Sequence, residues 1–132
     1  MTNSRVALLL LSILVVPVSA ADVSGNWKMT FKADWTSIPD LACTLSQKDQ
    51  RLEGTCRAAG GRADEKVDLN DGRIDADQVS WTWKIVVPDG VTWTYAFAGK
   101  LDANGNAMSG VVKLSSSIGS KTNEASFTAT KQ

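Results

Sequence analysis

From Gly25 onward, apolar and polar residues take turns. Trp27, Met29 and Phe31 alternate with Asn26, Lys28 and Thr30. A period of two places successive side chains on opposite faces of a strand. The same alternation returns in "VSWTWKI", "VTWTYAF", "MSGVVKL" and "ASFTAT", while a sustained helical period is absent. Turn signals recur about every 8–12 residues, the spacing of a sandwich or barrel. The pattern predicts strands over 25–31, 41–47, 52–58, 65–74, 79–87, 91–101, 107–115 and 124–131. The connections "KADWTSIPD", "KDQR", "AGGRAD", "DADQ", "PDG", "DANGN" and "SSIGSKTN" are all short. Short links join sequential antiparallel neighbours, so the expected fold is all-β, an eight-stranded up-and-down barrel closed on itself.

Loop length orients that barrel. In a meander, odd and even connections lie at opposite ends. The first, third and seventh are long, whereas the second, fourth and sixth are tight. One end is therefore a mouth and the other is closed, with "PDG" a short loop on the mouth side. "VPDG" suits a type I turn followed by Gly90 in the left-handed region, a three-residue hairpin loop. That register sets Ile85 against Trp93, Trp83 against Tyr95 and Trp81 against Phe97, on one face that should point inward. Shifting it by one residue would split the aromatic rows between faces. Val67 and Leu69 are out of phase with Ile74, and a bulge near Asn70–Gly72 would reconcile them.

The first 20 residues have another character. Arg5 precedes an apolar run from Val6 to Val16, then Pro17, with Val18 and Ala20 at the −3 and −1 positions of a small-residue cleavage site. This is the layout of a secretory signal peptide. The run is well short of the roughly 20 apolar residues of a membrane span. A mature chain starting at Ala21, one domain over 21–132, is expected in the periplasm or outside the cell, with no membrane attachment after cleavage. No Cys follows the cleavage site, which argues against lipid modification. In an oxidising compartment Cys43 and Cys56 should form a disulfide. A two-residue hairpin centred between Asp49 and Gln50 makes them a non-hydrogen-bonded cross-strand pair, where side chains approach most closely.

The first strand opens "GNW", Gly25-Asn26-Trp27. Gly-x-Trp at the start of a secreted eight-stranded barrel resembles the calycin superfamily, the lipocalins and avidins. "LSQKDQRLEGT", "DGRIDADQVSW" and "YAFAGKL" are similar to hairpin phrases of small bacterial lipocalin-like domains. The resemblance implies that Trp27 packs at the closed end beneath a basic residue of the last strand, here Lys131 where the family usually carries Arg. It also places the first loop, Lys32–Asp40, at the mouth, with Trp35 as a lid residue and the Cys43–Cys56 bond just below the rim. The chain is broadly similar, too, to bacterial periplasmic metalloprotease inhibitors. Those one-disulfide barrels act through a free N-terminal arm, for which only Ala21–Ser24 are available here.

Chemistry narrows the field by what is missing. Lys plus Arg number 14 and Asp plus Glu 14, and histidine is absent. With no basic patch visible, nucleic acid is not expected as a partner. With no His, no free Cys and no inward carboxylate pair, catalysis is not expected. The acids sit in turns, where Asp and Asn cap their own backbone. Neither Asp68 nor Asp102 starts a calcium-loop spacing, and "AAGGRAD" is not a phosphate loop. No metal or cofactor is expected. What remains are the aromatics. Trp81 and Phe97 read as deep core. Trp35, Trp83, Trp93 and Tyr95, with Phe31, are candidate contacts for a small apolar or aromatic ligand, against the alternative that they only fill the barrel. The expected function is a monomeric, non-catalytic binding module. The rival readings are a protein-binding barrel and a carbohydrate-binding module.

Overall fold

A computed structural model of the chain describes residues 22–60, 66–119 and 121–132. The signal peptide, the start at Ala21 and most of the third loop lie outside the described residues. Nine strands follow in order: β1 Gly25–Lys32, β2 Leu41–Lys48, β3 Arg51–Ala58, β4 Val67–Asp68, β5 Asn70–Asp75, β6 Gln78–Val86, β7 Thr92–Leu101, β8 Ala107–Ser116 and β9 Asn123–Lys131. All pairings are antiparallel. The order β2-β1-β9-β8-β7-β6-β5-β3 is closed by the β2–β3 pairing. β4 and β5 are two halves of one stave, interrupted at Leu69, so the architecture is the expected eight-stranded barrel.

The interruption has the expected cause. β5 meets β6 at Asn70↔Thr82 and again at Arg73↔Ser80, a register shift across Asp71 and Gly72. Two residues oppose one, and the chain bends there with Asp71 at φ 53°. The extra residue resets the phase. Ile74 is buried, and Val67 and Leu69, half-buried, pack on the same core.

Both predicted hairpin registers are present. Trp81↔Phe97, Trp83↔Tyr95 and Ile85↔Trp93 pair across β6 and β7. Gly90, at φ 87°, donates its N–H to the Val87 carbonyl at 2.9 Å, and Val87 and Val91 close the loop at 3.0 Å. Across β2 and β3, Cys43 faces Cys56 with 4.0 Å between Cα atoms, and the two form a disulfide. This is the short spacing of a non-hydrogen-bonded pair. Cys43 also lies across from Trp27 on β1. β1 climbs past its last pair with β2, Met29↔Leu41, so the wall is low on this side. The bond therefore sits near the local rim and level with Trp27 at once.

The interior is filled by side chains from every wall. Phe97 is the hub: Trp81 stacks on it at 4.8 Å and 11°, while Phe127 and Phe31 meet it edge-on at 5.4 and 6.2 Å. Trp83 tilts against it at 4.5 Å. Offset stacks and edge contacts of this kind add about 0.5–1.5 kcal/mol per pair beyond their burial. Beneath the aromatics lie Met29, Leu52, Val79 and Trp27, all within 2% of full burial.

The closed end carries a feature the alternation did not signal. Val23 is fully buried although it precedes β1. Its carbonyl accepts the Trp27 indole N–H at 2.8 Å, and its own N–H donates to Gln47 Oε1 at 3.0 Å. Ser24 Oγ accepts the Gln47 N–H at 2.9 Å. Lys131 is the register partner of Trp27, and its ammonium donates to the Asp22 carbonyl at 3.0 Å. The lysine stem crosses Gly25, where a Cβ would stand 3.0 Å from Lys131 Cε on a backbone at φ 139°. The glycine of "GNW" thus makes room for the lysine that straps the floor. Asp22–Ser24 form part of that floor.

Candidate functional site

The mouth is built from unequal parts. β6, β7, β8 and β9 make the tall wall, and the first loop leans across toward it. Trp35 anchors this lean, its indole N–H donating to the Glu124 carbonyl on β9 at 3.0 Å. Under the loop is a cavity of about 300 Å³ lined by Trp35, Thr36, Ser37, Ile38, Pro39, Tyr95, Val112, Leu114 and Ala125. Its walls come from β7, β8 and β9, where Tyr95 pairs with Leu114 and Val112 with Ala125. Of its lining residues, Tyr95 leans on Trp83 of the aromatic cluster. Among the described residues no charged side chain lines it.

The candidate contacts divide by position. Trp35, 45% exposed, and half-buried Tyr95 border the cavity. Trp83, 6% exposed, stands one strand away beside Tyr95 with ring centroids 5.8 Å apart. Phe31 is half-buried and packs edge-on to Phe97 below. Trp93 and its partner Ile85 are half-buried at the rim, outside both the core cluster and the cavity lining. Trp81 and Phe97, read as core, are 1% and 2% exposed. Ile38, Val112, Leu114 and Ala125 were not among the candidates. The phase put the last three on the inner face, but which wall the loop leans on has no signal in the pattern.

Polar groups around the cavity are sparse and incompletely matched. The indole N–H groups of Trp81 and Trp83 are buried without a hydrogen-bond partner among the described residues. Burial raises the pKa of the Tyr95 phenol, because the phenolate would lose hydration there. At neutral pH it is a neutral hydroxyl. Among the described residues no group of three or more His, Cys, Asp or Glu side chains converges as metal ligands would.

Larger concavities lie on the outer surface. One of about 560 Å³ runs over β1, β2 and β3 beside Lys28, Arg57 and Lys66. Another of about 630 Å³ follows the bulged seam between β3 and β5, beside Glu53, Asp68 and Arg73. Both are bordered by outward, charged residues. The mouth cavity is smaller, but it is roofed by a loop and faced by inward apolar side chains, as ligand sites usually are. The chain matches no family model, no curated protein and no solved structure.

Proposed function

We propose that the chain is an exported, non-catalytic binding module of lipocalin-like type, which takes a small apolar or aromatic ligand into the mouth cavity beneath Trp35. The observation that carries this reading is the cavity itself. It lies at the lower end of the volume range of small-molecule sites, about 300–1,000 Å³, and is walled by one tryptophan, one tyrosine and aliphatic side chains. The Gly25–Trp27 opening with Lys131 across from Trp27 supports the lipocalin and avidin resemblance. The disulfide is compatible with export to an oxidising compartment, as the leader-like first 20 residues suggest.

Two observations favour this reading over its rivals. An inhibitor arm needs free residues ahead of the barrel, and Asp22–Ser24 are fastened to its floor. A carbohydrate platform needs aromatics on an exposed flat face, and the β6–β7 register turns its aromatics inward. The test is a screen of apolar aromatic compounds by quenching of tryptophan fluorescence, in the natural chain and in Trp35→Ala. Saturable quenching that weakens about tenfold in the variant is expected, the loss of one good aromatic contact. Quenching that is absent throughout, or identical in the variant, removes the mouth as the site.

A further inference from the structure

We infer that the mouth cavity selects an uncharged ligand bearing a carbonyl-type hydrogen-bond acceptor, oriented by the Tyr95 hydroxyl, and rejects carboxylates. This rests on the mouth reading above and adds the ligand's chemistry. Three observations carry it. First, among the described residues the lining holds no cation: Thr36, Ser37 and Tyr95 supply its side-chain polarity, beside the Trp35 indole. A carboxylate entering would lose hydration without gaining a counter-charge, a cost that neutral donors do not repay.

Second, donors are left over. The Trp27 and Trp35 indoles donate to carbonyls, at Val23 and Glu124. Trp83 and Trp81 are buried with no acceptor among the described residues but stand outside the cavity lining, whereas the Tyr95 hydroxyl lines it and makes no hydrogen bond to another described residue. A phenol donates better than it accepts, so the natural complement is an acceptor. Third, Trp83 is the direct cross-strand partner of Tyr95 with ring centroids 5.8 Å apart, so the phenol ring is backed by an uncharged aromatic wall. A guest that brings an acceptor gives the Tyr95 hydroxyl a partner inside the cavity, where a hydrocarbon gives it none. The raised pKa of Tyr95 agrees with this, since surroundings that disfavour a phenolate disfavour a carboxylate as well.

Three probes of similar shape test it: 2-acetylnaphthalene, 2-isopropylnaphthalene and 2-naphthoate, titrated calorimetrically into the natural chain and into Tyr95→Phe. The variant removes one oxygen and keeps the ring, so the fold and the apolar contact stay. The expected result is a preference for the ketone over the hydrocarbon that falls about tenfold in Tyr95→Phe, one hydrogen bond's worth, while hydrocarbon affinity is unchanged. 2-Naphthoate should bind the natural chain at least about tenfold more weakly than the ketone. An unchanged preference in the variant, or a carboxylate that binds as tightly as the ketone, overturns the inference and leaves the cavity standing as an apolar site. Failure of all three probes to bind overturns the mouth reading, and the inference with it.

Discussion

Tyr95 is the residue at which packing and recognition meet. Its ring leans on Trp83 and lines the cavity, while its hydroxyl is the one ionisable group of the lining among the described residues. It is also the only tyrosine in the chain, so near-ultraviolet absorbance during alkaline titration reports this group alone. Burial raises its folded-state pKa above the ordinary tyrosine value of about 10. A raised pKa stabilises the fold below the unfolded pKa, and that contribution disappears as pH climbs through the folded value. The folded chain should therefore titrate above the urea-unfolded chain. Coincident curves would place Tyr95 in water and empty the cavity of its low-polarity character. Trp83 and Trp93 show how far residue type alone carries. Both alternate inward beside Tyr95, yet one completes the aromatic stack and the other stands at the rim.

At the scale of elements, the strands were legible because an inward face imposes a period of two, and a one-residue slip would expose it. The cysteine pair follows from turn length, and the β6–β7 register from turn type together with the need to keep the aromatic rows on one face. The bulge at Asn70–Gly72 was legible for the same reason, as a break in phase that only an extra residue repairs. The floor strap was not. Val23 shares the phase of Trp27 and Met29, but Gly25 between them has no side chain to carry the apolar row back to it, and its burial depends on Gln47 arriving from β2. If Asp22–Ser24 are part of the fold, Val23→Ala should lower the unfolding free energy in urea by about 2 kcal/mol, the transfer and cavity cost of the lost methyls. A loss below about 0.5 kcal/mol, the level of a surface change, would make the segment a dispensable tail.

Across the whole molecule, the barrel is divided into a packed lower part and an open upper one. Phe97 and the rings around it fill the space below Trp83 and Tyr95, so among the described residues the roofed room for a ligand lies under the first loop. The sequence showed the two ends through loop lengths and the aromatic face through register. It left open how much of that face was filling. The answer depends on Phe31 of β1 and Phe127 of β9 converging on Phe97, and on a loop held by the hydrogen bond from Trp35 to Glu124 and by Ile38 packed on the core. The same division explains why one tryptophan can report the site while another reports the floor. The most direct test is the indole region of a proton–nitrogen correlation spectrum, in which each of the five tryptophans gives its own signal, during titration with 2-acetylnaphthalene. Binding at the mouth should move the Trp35 and Trp83 signals and leave Trp27, bonded to Val23 on the floor, in place. Five unmoved signals, or a Trp27 signal that moves while Trp35 stays, would contradict a ligand site at the mouth.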